Sequence, residues 1–369
     1  MDIFDDLGVT RYINAHDTYT VYGASRMTEQ TLEAMWLASK SFVDMEELQR
    51  KLGRAAAELT HNEAAYFTNG AAGALTTAAA ICMAKGSAYR FARLPGIVPG
   101  TAPEIIRLHC QHNAYDKAVE VAGAQVVDIG DADETLEFDL EGAINERTAA
   151  VFYYASTLYA RAAMPLEDVI RIAHSRGVPV VVDAAAQLPP VENLWRFTGM
   201  GADMVIFSGG KTLCGPQDSG LIVGKKQYIE DCIRFGAPMH GVCRGNKSSR
   251  ESMAGLYSAL KQYVEMDHAE NRRRLERVVE TMAQGLASCS CTTRMVPYGP
   301  VGQDYTRLFV DLKTPDSAQC VWEEMRRRHI YVGLDRAQNA VYISPLNLNE
   351  NEQKIVVAAL REAIEETGL

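Results

Sequence analysis

Val178-Pro179-Val180-Val181-Val182-Asp183 is an apolar, largely β-branched run that stops on a carboxylate. No polar residue alternates through it, so it reads as a strand buried on both faces, as in parallel sheets covered by helices. Outward from it the pattern repeats. Candidate strands Ala64–Phe67, Glu104–Leu108, Gln125–Ile129 and Ala149–Tyr154 precede it, and Asp203–Phe207 and Leu221–Val223 follow. Helical stretches such as Ala114–Val121 and Leu166–His174 lie between most of them, which is the rhythm of βα units. The expected fold is α/β, with a large domain built on a mostly parallel sheet of about seven strands.

Upstream, Asp44 and Glu47 have the spacing of a capping box and open a helix with Leu48, Leu52 and Leu59 on one face. After Gly224 the rhythm changes. A long charged helix, about Ser249 to Gln284, is expected to link two domains. Beyond it the order is strand Thr306–Leu312, helix Ala318–Arg328, strands Ile330–Val332 and Val341–Ile343, and helix Glu350–Glu366. The expected organisation is an irregular N-terminal segment, 1–45, a large domain, 46–260, and a small C-terminal α+β domain with its linking helix, 261–369.

The 369 residues are 47% hydrophobic and 23% charged, which excludes a disordered or fibrous chain. A formal net charge of −10 and the absence of a basic arm argue against nucleic acid or an anionic membrane as partner. The longest mostly apolar stretch, Ala71 to Ala84, falls short of the ~20 residues a span needs. The eight cysteines form no CxxC pair, no metal site is expected, and the start MDIFDDLG is acidic where a targeting peptide is basic. These features predict reduced thiols and a cytoplasmic protein.

Ligands of open parallel sheets sit beyond the carboxyl ends of the strands, so the residues there carry the chemistry. After Phe67 come Thr68-Asn69-Gly70-Ala71-Ala72-Gly73, opening an alanine-rich helix: either a phosphate cradle at a helix start or a tight turn into close packing. Asp183 either caps a following helix or holds a protonated ring nitrogen. After Phe207 come Ser208-Gly209-Gly210-Lys211-Thr212, but a P-loop needs glycine where Val205 stands, and Gly215-Pro216 leaves no helix to follow. What remains is a lysine on a glycine-flanked strand-end loop, suited to a Schiff base. Phosphate cradle, ring-nitrogen carboxylate and imine lysine, in that chain order, form the constellation for pyridoxal 5′-phosphate. The segment His109-Cys110-Gln111-His112-Asn113-Ala114-Tyr115-Asp116 adds aromatic rings that either stack on the cofactor or simply pack.

With these motifs in place the chain resembles fold-type-I pyridoxal-phosphate enzymes, and more narrowly the group related to bacterial selenocysteine synthase and D-glucosaminate-6-phosphate ammonia-lyase. The resemblance is carried by Ile13-Asn14-Ala15, Phe42–Gln49, Phe67–Ala72, His112–Asp116, Val182–Ala186, Phe207–Lys211 and Gly215-Pro216-Gln217 with Gly220. It implies Lys211 as the internal aldimine, Asp183 at the pyridine nitrogen and His112 as the stacking ring. Asn69, Gly70, Ala71, Ala72, Gln187 and Ser208 complete the expected cofactor site. It also implies a homodimer or higher oligomer. Two departures stand out. The tRNA-binding N-terminal part of full selenocysteine synthases is not expected, because the chain starts almost at Arg11. The lyases' Arg-Pro-Met-Lys-type segment is here Arg244-Gly245-Asn246-Lys247.

The expected reaction is α,β-elimination with loss of ammonia from a small anionic amino compound, an amino acid or an amino-sugar acid phosphate. Aminotransfer, racemisation and β-replacement use the same carbanion and stay open, as does a non-catalytic homologue. Arg26, Arg244 and Lys247 are the candidates for the substrate anion. The region Val341-Tyr342-Ile343-Ser344-Pro345 supplies no arginine, and Arg307 and Arg336 lie nearby in the chain.

Overall fold

The computed structural model describes residues 2–96 and 102–366. They form two compact units, Met27–Glu265 and Met1–Arg26 with Met266–Leu369.

The larger unit is built on a seven-stranded sheet. In spatial order its strands are Ala64–Thr68, Gly220–Gly224, Met204–Ser208, Val180–Asp183, Thr148–Tyr154, Glu104–Leu108 and Gln125–Ile129. The last five are mutually parallel, whereas Gly220–Gly224 runs antiparallel to both of its neighbours. The pleat sorts side chains between two cores. Ile106, Leu108, Val151, Val180, Val182, Val205 and Phe207 face the helices Met45–Leu59, Leu166–Ser175 and Arg250–Glu265. Tyr66, Ile105, Phe152, Val181, Met204 and Ile206 face Gly70–Ala84 and Lys226–Phe235. Both faces are covered, which explains the continuous apolar strands.

Several helix starts follow local chemistry. Thr28, Asp44 and Ser87 accept hydrogen bonds from the backbone of their own first turns. Asp44 takes Glu47 N–H at 2.8 Å, one half of the expected box. At the opposite end of the sheet from the ligand edge, buried Asp203 accepts from Val180 N–H at 2.7 Å, and lies 2.8 Å from His174 Nε2 and 2.7 Å from Lys225 Nζ.

The smaller unit carries an antiparallel sheet in the order Gly333–Asp335, Ala340–Ile343, Arg307–Leu312, Cys291–Val296. Its core draws on Leu308, Val310, Val321, Met325, Val356 and Leu360. A two-residue parallel bridge joins Ile13–Asn14 to Ile330–Tyr331.

The structure divides the chain differently from expectation in two places. The linking helix is two helices, Arg250–Glu265 and His268–Gly285, because Asp267 caps the second by accepting Glu270 N–H at 2.9 Å. The segment 1–45 is not one piece. Ile13 and Ala15 join the core of the smaller unit, whereas the helix Glu29–Ser39 packs on Arg250–Glu265 in the larger. The strand Cys291–Val296 was not anticipated: it is a half-exposed edge strand whose Thr-Thr-Arg centre lacks an apolar run. Among the described residues no helix is long and apolar enough to cross a membrane.

Replacing Asp203 by Ala strands a buried amide and takes the carboxylate away from Lys225 and His174. The unfolding free energy should fall by about 2–4 kcal/mol, read from a shifted urea midpoint at unchanged m-value. A loss below about 1 kcal/mol would show that desolvation cancels the network.

Candidate active site

The pleat places six strand-end residues on one face. Counting by twos from Tyr66, Ile105, Phe152, Val181, Ile206 and Ile222, all in one core, gives Thr68, Arg107, Tyr154, Asp183, Ser208 and Gly220. Register holds them at the same edge: Tyr154 lies opposite Asp183, and Gly220 lies opposite both Thr68 and Ser208. The helix Gly70–Ala84 covers this face.

That helix begins unlike its neighbours. Its N-cap residue makes no side-chain cap: Asn69 instead gives Nδ2–H to Gly245 O at 3.3 Å, while among the described residues its buried Oδ1 has no partner. Gly73 to Ala84 are all buried, while the first turn, Gly70 to Ala72, is left partly open, so the positive end of the helix dipole is accessible to a ligand. The turn fits closely: Gly70 has φ +91°, and a Cβ on Gly220 would come within 2.5 Å of the Gly70 carbonyl carbon. An uncapped, electropositive, small-residue helix start at a sheet edge fits a phosphate.

Asp183 ends its strand partly buried. One oxygen accepts Ala185 N–H at 2.9 Å, so the residue closes a turn, and the next helix, Asn193–Gly199, starts later. Burial pushes the carboxyl pKa up, and the Ala185 amide and the positive charge of Lys211 pull it back. A protonated ring nitrogen would supply the further counter-charge that this carboxylate needs.

Lys211 sits on a loop that closes on itself. Gly209 N–H donates to Ser219 O and Gly215 N–H to Gly209 O, both at 2.8 Å, and Cys214 N–H donates to Lys211 O at 2.9 Å. Side chains do not fit here: a Cβ on Gly209 would lie 2.1 Å from Ser219 Oγ, and one on Gly210 would lie 2.6 Å from Gln217 Cα. A turn follows Lys211 and not the helix that a P-loop needs, in line with the rejection of that reading.

His112 Nδ1 lies 2.7 Å from Asp116 Oδ2, and that aspartate is ion-paired with Arg107, which also pairs with Asp128. Gln111 Oε1 accepts Tyr154 N–H at 3.0 Å, tying this loop to the strand beside Asp183. Gln187 is buried, and its carbonyl accepts from Asn193 Nδ2 at 2.6 Å.

Of the substrate candidates, Arg244 and Lys247 are exposed on the segment around Val242–Asn246. It docks on the helix start through Asn69 to Gly245 O and through Asn246 Nδ2 to Gly73 O at 3.4 Å. Arg26 belongs to the other unit and is already engaged. Its guanidinium forks onto Glu352 at 2.8 and 2.5 Å, so its charge is already paired. In that unit the buried cation is Arg307. It is 8% exposed, gives Nε–H to Tyr298 O at 3.1 Å, lies over the Phe309 and Tyr342 rings, and has no ion-pair partner among the described residues. Nearby His16 keeps a buried Nδ1 without a partner, and its pKa is lowered by burial. Arg336 is exposed.

Sequence reading gave no role to Arg107, Gln111, Asp116 or Tyr154. The available signal was Arg107 itself, a charge inside Glu104-Ile-Ile-Arg107-Leu that a buried strand tolerates only with a partner.

The sheet, the lysine loop, the strand-end carboxylate and the helix start define a fold-type-I enzyme framework, and known proteins agree. The family model for L-seryl-tRNA selenium transferase matches residues 115–288. A D-glucosaminate-6-phosphate ammonia lyase of Salmonella typhimurium is 29% identical over 99% of this chain and 98% of its own. A 5'-C-glycyluridine monooxygenase-decarboxylase of Streptomyces sp is 32% identical over 76% of this chain and 70% of its own. A solved D-glucosaminate-6-phosphate ammonia-lyase superposes with a TM-score of 0.87 at 28% identity over 100% of both chains. The chain belongs to the pyridoxal-phosphate enzyme group that contains these lyases and the selenocysteine synthases.

Proposed function

We propose that this chain is a pyridoxal-phosphate-dependent carbon–nitrogen lyase acting on a small anionic 2-amino-3-hydroxy acid, such as an amino-sugar acid phosphate. The observation that carries the reading is the meeting at one sheet edge of the Lys211 loop, the Asp183 carboxylate that feels its charge, and an uncapped helix start. Likeness along the whole chain to an ammonia lyase narrows the chemistry to elimination. In the net reaction the α-hydrogen and β-hydroxyl leave as water. Water then replaces the amine, giving a 2-keto acid and ammonium, with no oxidant needed.

When bound, pyridoxal phosphate supplies an aldehyde for the substrate amine and an electron sink for the α-carbon. The chain's own share is positioning and electrostatics. The amides of Gly70, Ala71 and Ala72, with Ser208 and Asn69, would hold the phosphate, while Gln187 lies on the turn that follows Asp183. Asp183 would keep the ring nitrogen protonated. Lys211 would tether the cofactor through its amine and, when that amine is free, would be the base for the α-proton. His112 is assigned to the cofactor ring. Arg244 and Lys247 would meet the substrate anion. The reading also carries a cytoplasmic homo-oligomer, at least a dimer, and a net charge of −10 favours no nucleic-acid partner.

The relative named as a monooxygenase-decarboxylase motivates a second reading, in which the same α-carbon chemistry ends in loss of carbon dioxide. A panel of amino acids and amino-sugar acids, scored for ammonium, keto acid and carbon dioxide, separates the two. Ammonium with equimolar keto acid is the expected result.

Lys211→Ala should stay folded yet lose the borohydride-reducible link to the cofactor. A link that persists would assign the tether to another lysine. Asp183→Asn should keep the cofactor bound and slow α-proton exchange about a hundredfold or more, since an amide cannot hold the pyridinium proton. Near-normal exchange would reduce Asp183 to a turn former.

Arg244→Ala should raise KM for the anionic substrate with the cofactor spectrum unchanged. A lost charge-assisted contact costs about 2–5 kcal/mol, which is about thirtyfold or more. Arg26→Ala, because its charge is already spent on Glu352, should leave KM near the parent value. The reverse pattern would exchange their roles.

A further inference from the structure

His112 presents a physical problem. Its side chain is 69% exposed, so nothing in its packing fixes the ring, yet a stacking role requires one orientation. The answer lies one helical turn further along the chain. Asp116 is 3% exposed, and its Oδ2 receives His112 Nδ1 at 2.7 Å and Asn113 N–H at 2.9 Å. Behind it stands Arg107, 4% exposed, ion-paired with Asp116 and also with Asp128. Asn113 closes the loop by giving Nδ2–H to Gln111 O and accepting from Tyr115 N–H.

We propose that Asp116, locked by Arg107, is the positioning residue that fixes the His112 ring for the cofactor. The inference rests on the reading above that His112 meets the cofactor ring. A buried carboxylate paired with a buried guanidinium does not swing, so it is a rigid post for an exposed imidazole. The hydrogen bond selects the tautomer with its proton on Nδ1, as an orienting carboxylate does for a metal-bound histidine. One edge of the ring is therefore held, while the residue also lines a cavity of about 340 Å³ with His109, Cys110 and Tyr159. Arg107 lies on the sheet face that also carries Tyr154 and Asp183, so the post is rooted beneath the proposed cofactor position. Asp116 also raises the pKa of Asp183, which places the two carboxylates within electrostatic reach.

The test is a variant cycle read by the dissociation constant of pyridoxal phosphate and the absorption maximum of the bound cofactor. His112→Ala should weaken binding about fivefold to tenfold, the worth of one ring stack. Asp116→Asn should weaken it severalfold and move the absorption maximum, and the double variant should be no weaker than His112→Ala alone. His112→Phe keeps a ring that needs no carboxylate, so Asp116→Asn should be silent in that background. Equal losses from Asp116→Asn in the histidine and phenylalanine backgrounds would overturn the proposal, since Asp116 would then act through the fold. An unchanged constant in His112→Ala would instead refute the stacking assignment beneath it, and the proposal with it. If Asp116→Asn does not fold, Asp116→Glu keeps the charge toward Arg107, shifts the carboxylate by one methylene and serves in the same cycle.

Discussion

A sheet covered by helices on both faces restricts where polar groups can stand. Its central strands are apolar from Val180 to Val182 and through most of Thr148–Tyr154, because neither face meets water. Polar side chains are confined to the ends, and the pleat decides which face each one joins. Thr68, Arg107, Tyr154, Asp183 and Ser208 share one face because each is an even number of residues from a partner in the same core. A one-residue slip in any strand would turn its end residue into the opposite core, so register fixes the site as firmly as it fixes the packing.

The same constraint gives the helix Gly70–Ala84 its character. A helix buried almost all round needs small residues, and alanine supplies them along with high helix propensity. Small residues at its start also leave the first amides open. Thr28, Asp44, Ser87 and Asp267 cap other helices with their own oxygens, whereas Asn69 turns its amide toward Gly245. The partial positive charge at that terminus, about half an elementary charge, is left for a ligand. Close approach by Gly220 is what holds the turn in place, and any side chain there would push the two backbones apart.

Much of this was legible in the sequence because strand ends and glycine turns are local signals. The run into Asp183, the turn after Phe67 and the loop around Lys211 each announce themselves within a few residues, and the sheet places all three at one edge. What was illegible was set by partners distant in the chain. Nothing near Arg26 reveals Glu352, and nothing near Ile13 reveals Ile330. The helix break at Asp267 was available in principle, as an aspartate three residues before Glu270, but the surrounding charges masked it. Arg107 was overlooked because a lone charge in an apolar strand carries no periodic signal, although its burial cost demands the two aspartates that flank it in space.

Those aspartates bear on specificity. The face beneath the proposed cofactor position holds Asp183 and Arg107, with Asp116 and Asp128 paired to Arg107 and Lys211 on its loop, so carboxylates outnumber cations there. Such a surface suits a protonated ring nitrogen and opposes a substrate bearing carboxylate and phosphate. The compensation has to come from outside the face. In the larger unit the helix start is taken by the proposed phosphate, so on that reading the charge would come from the segment carrying Arg244 and Lys247, docked against that start through Asn69 and Asn246. A change there alters the spacing and stiffness of the cations without touching Asp183 or Lys211. On the proposed assignments, substrate choice can diverge while the cofactor machinery stays fixed, because the anion would be met on a separate segment from the one that would hold the ring.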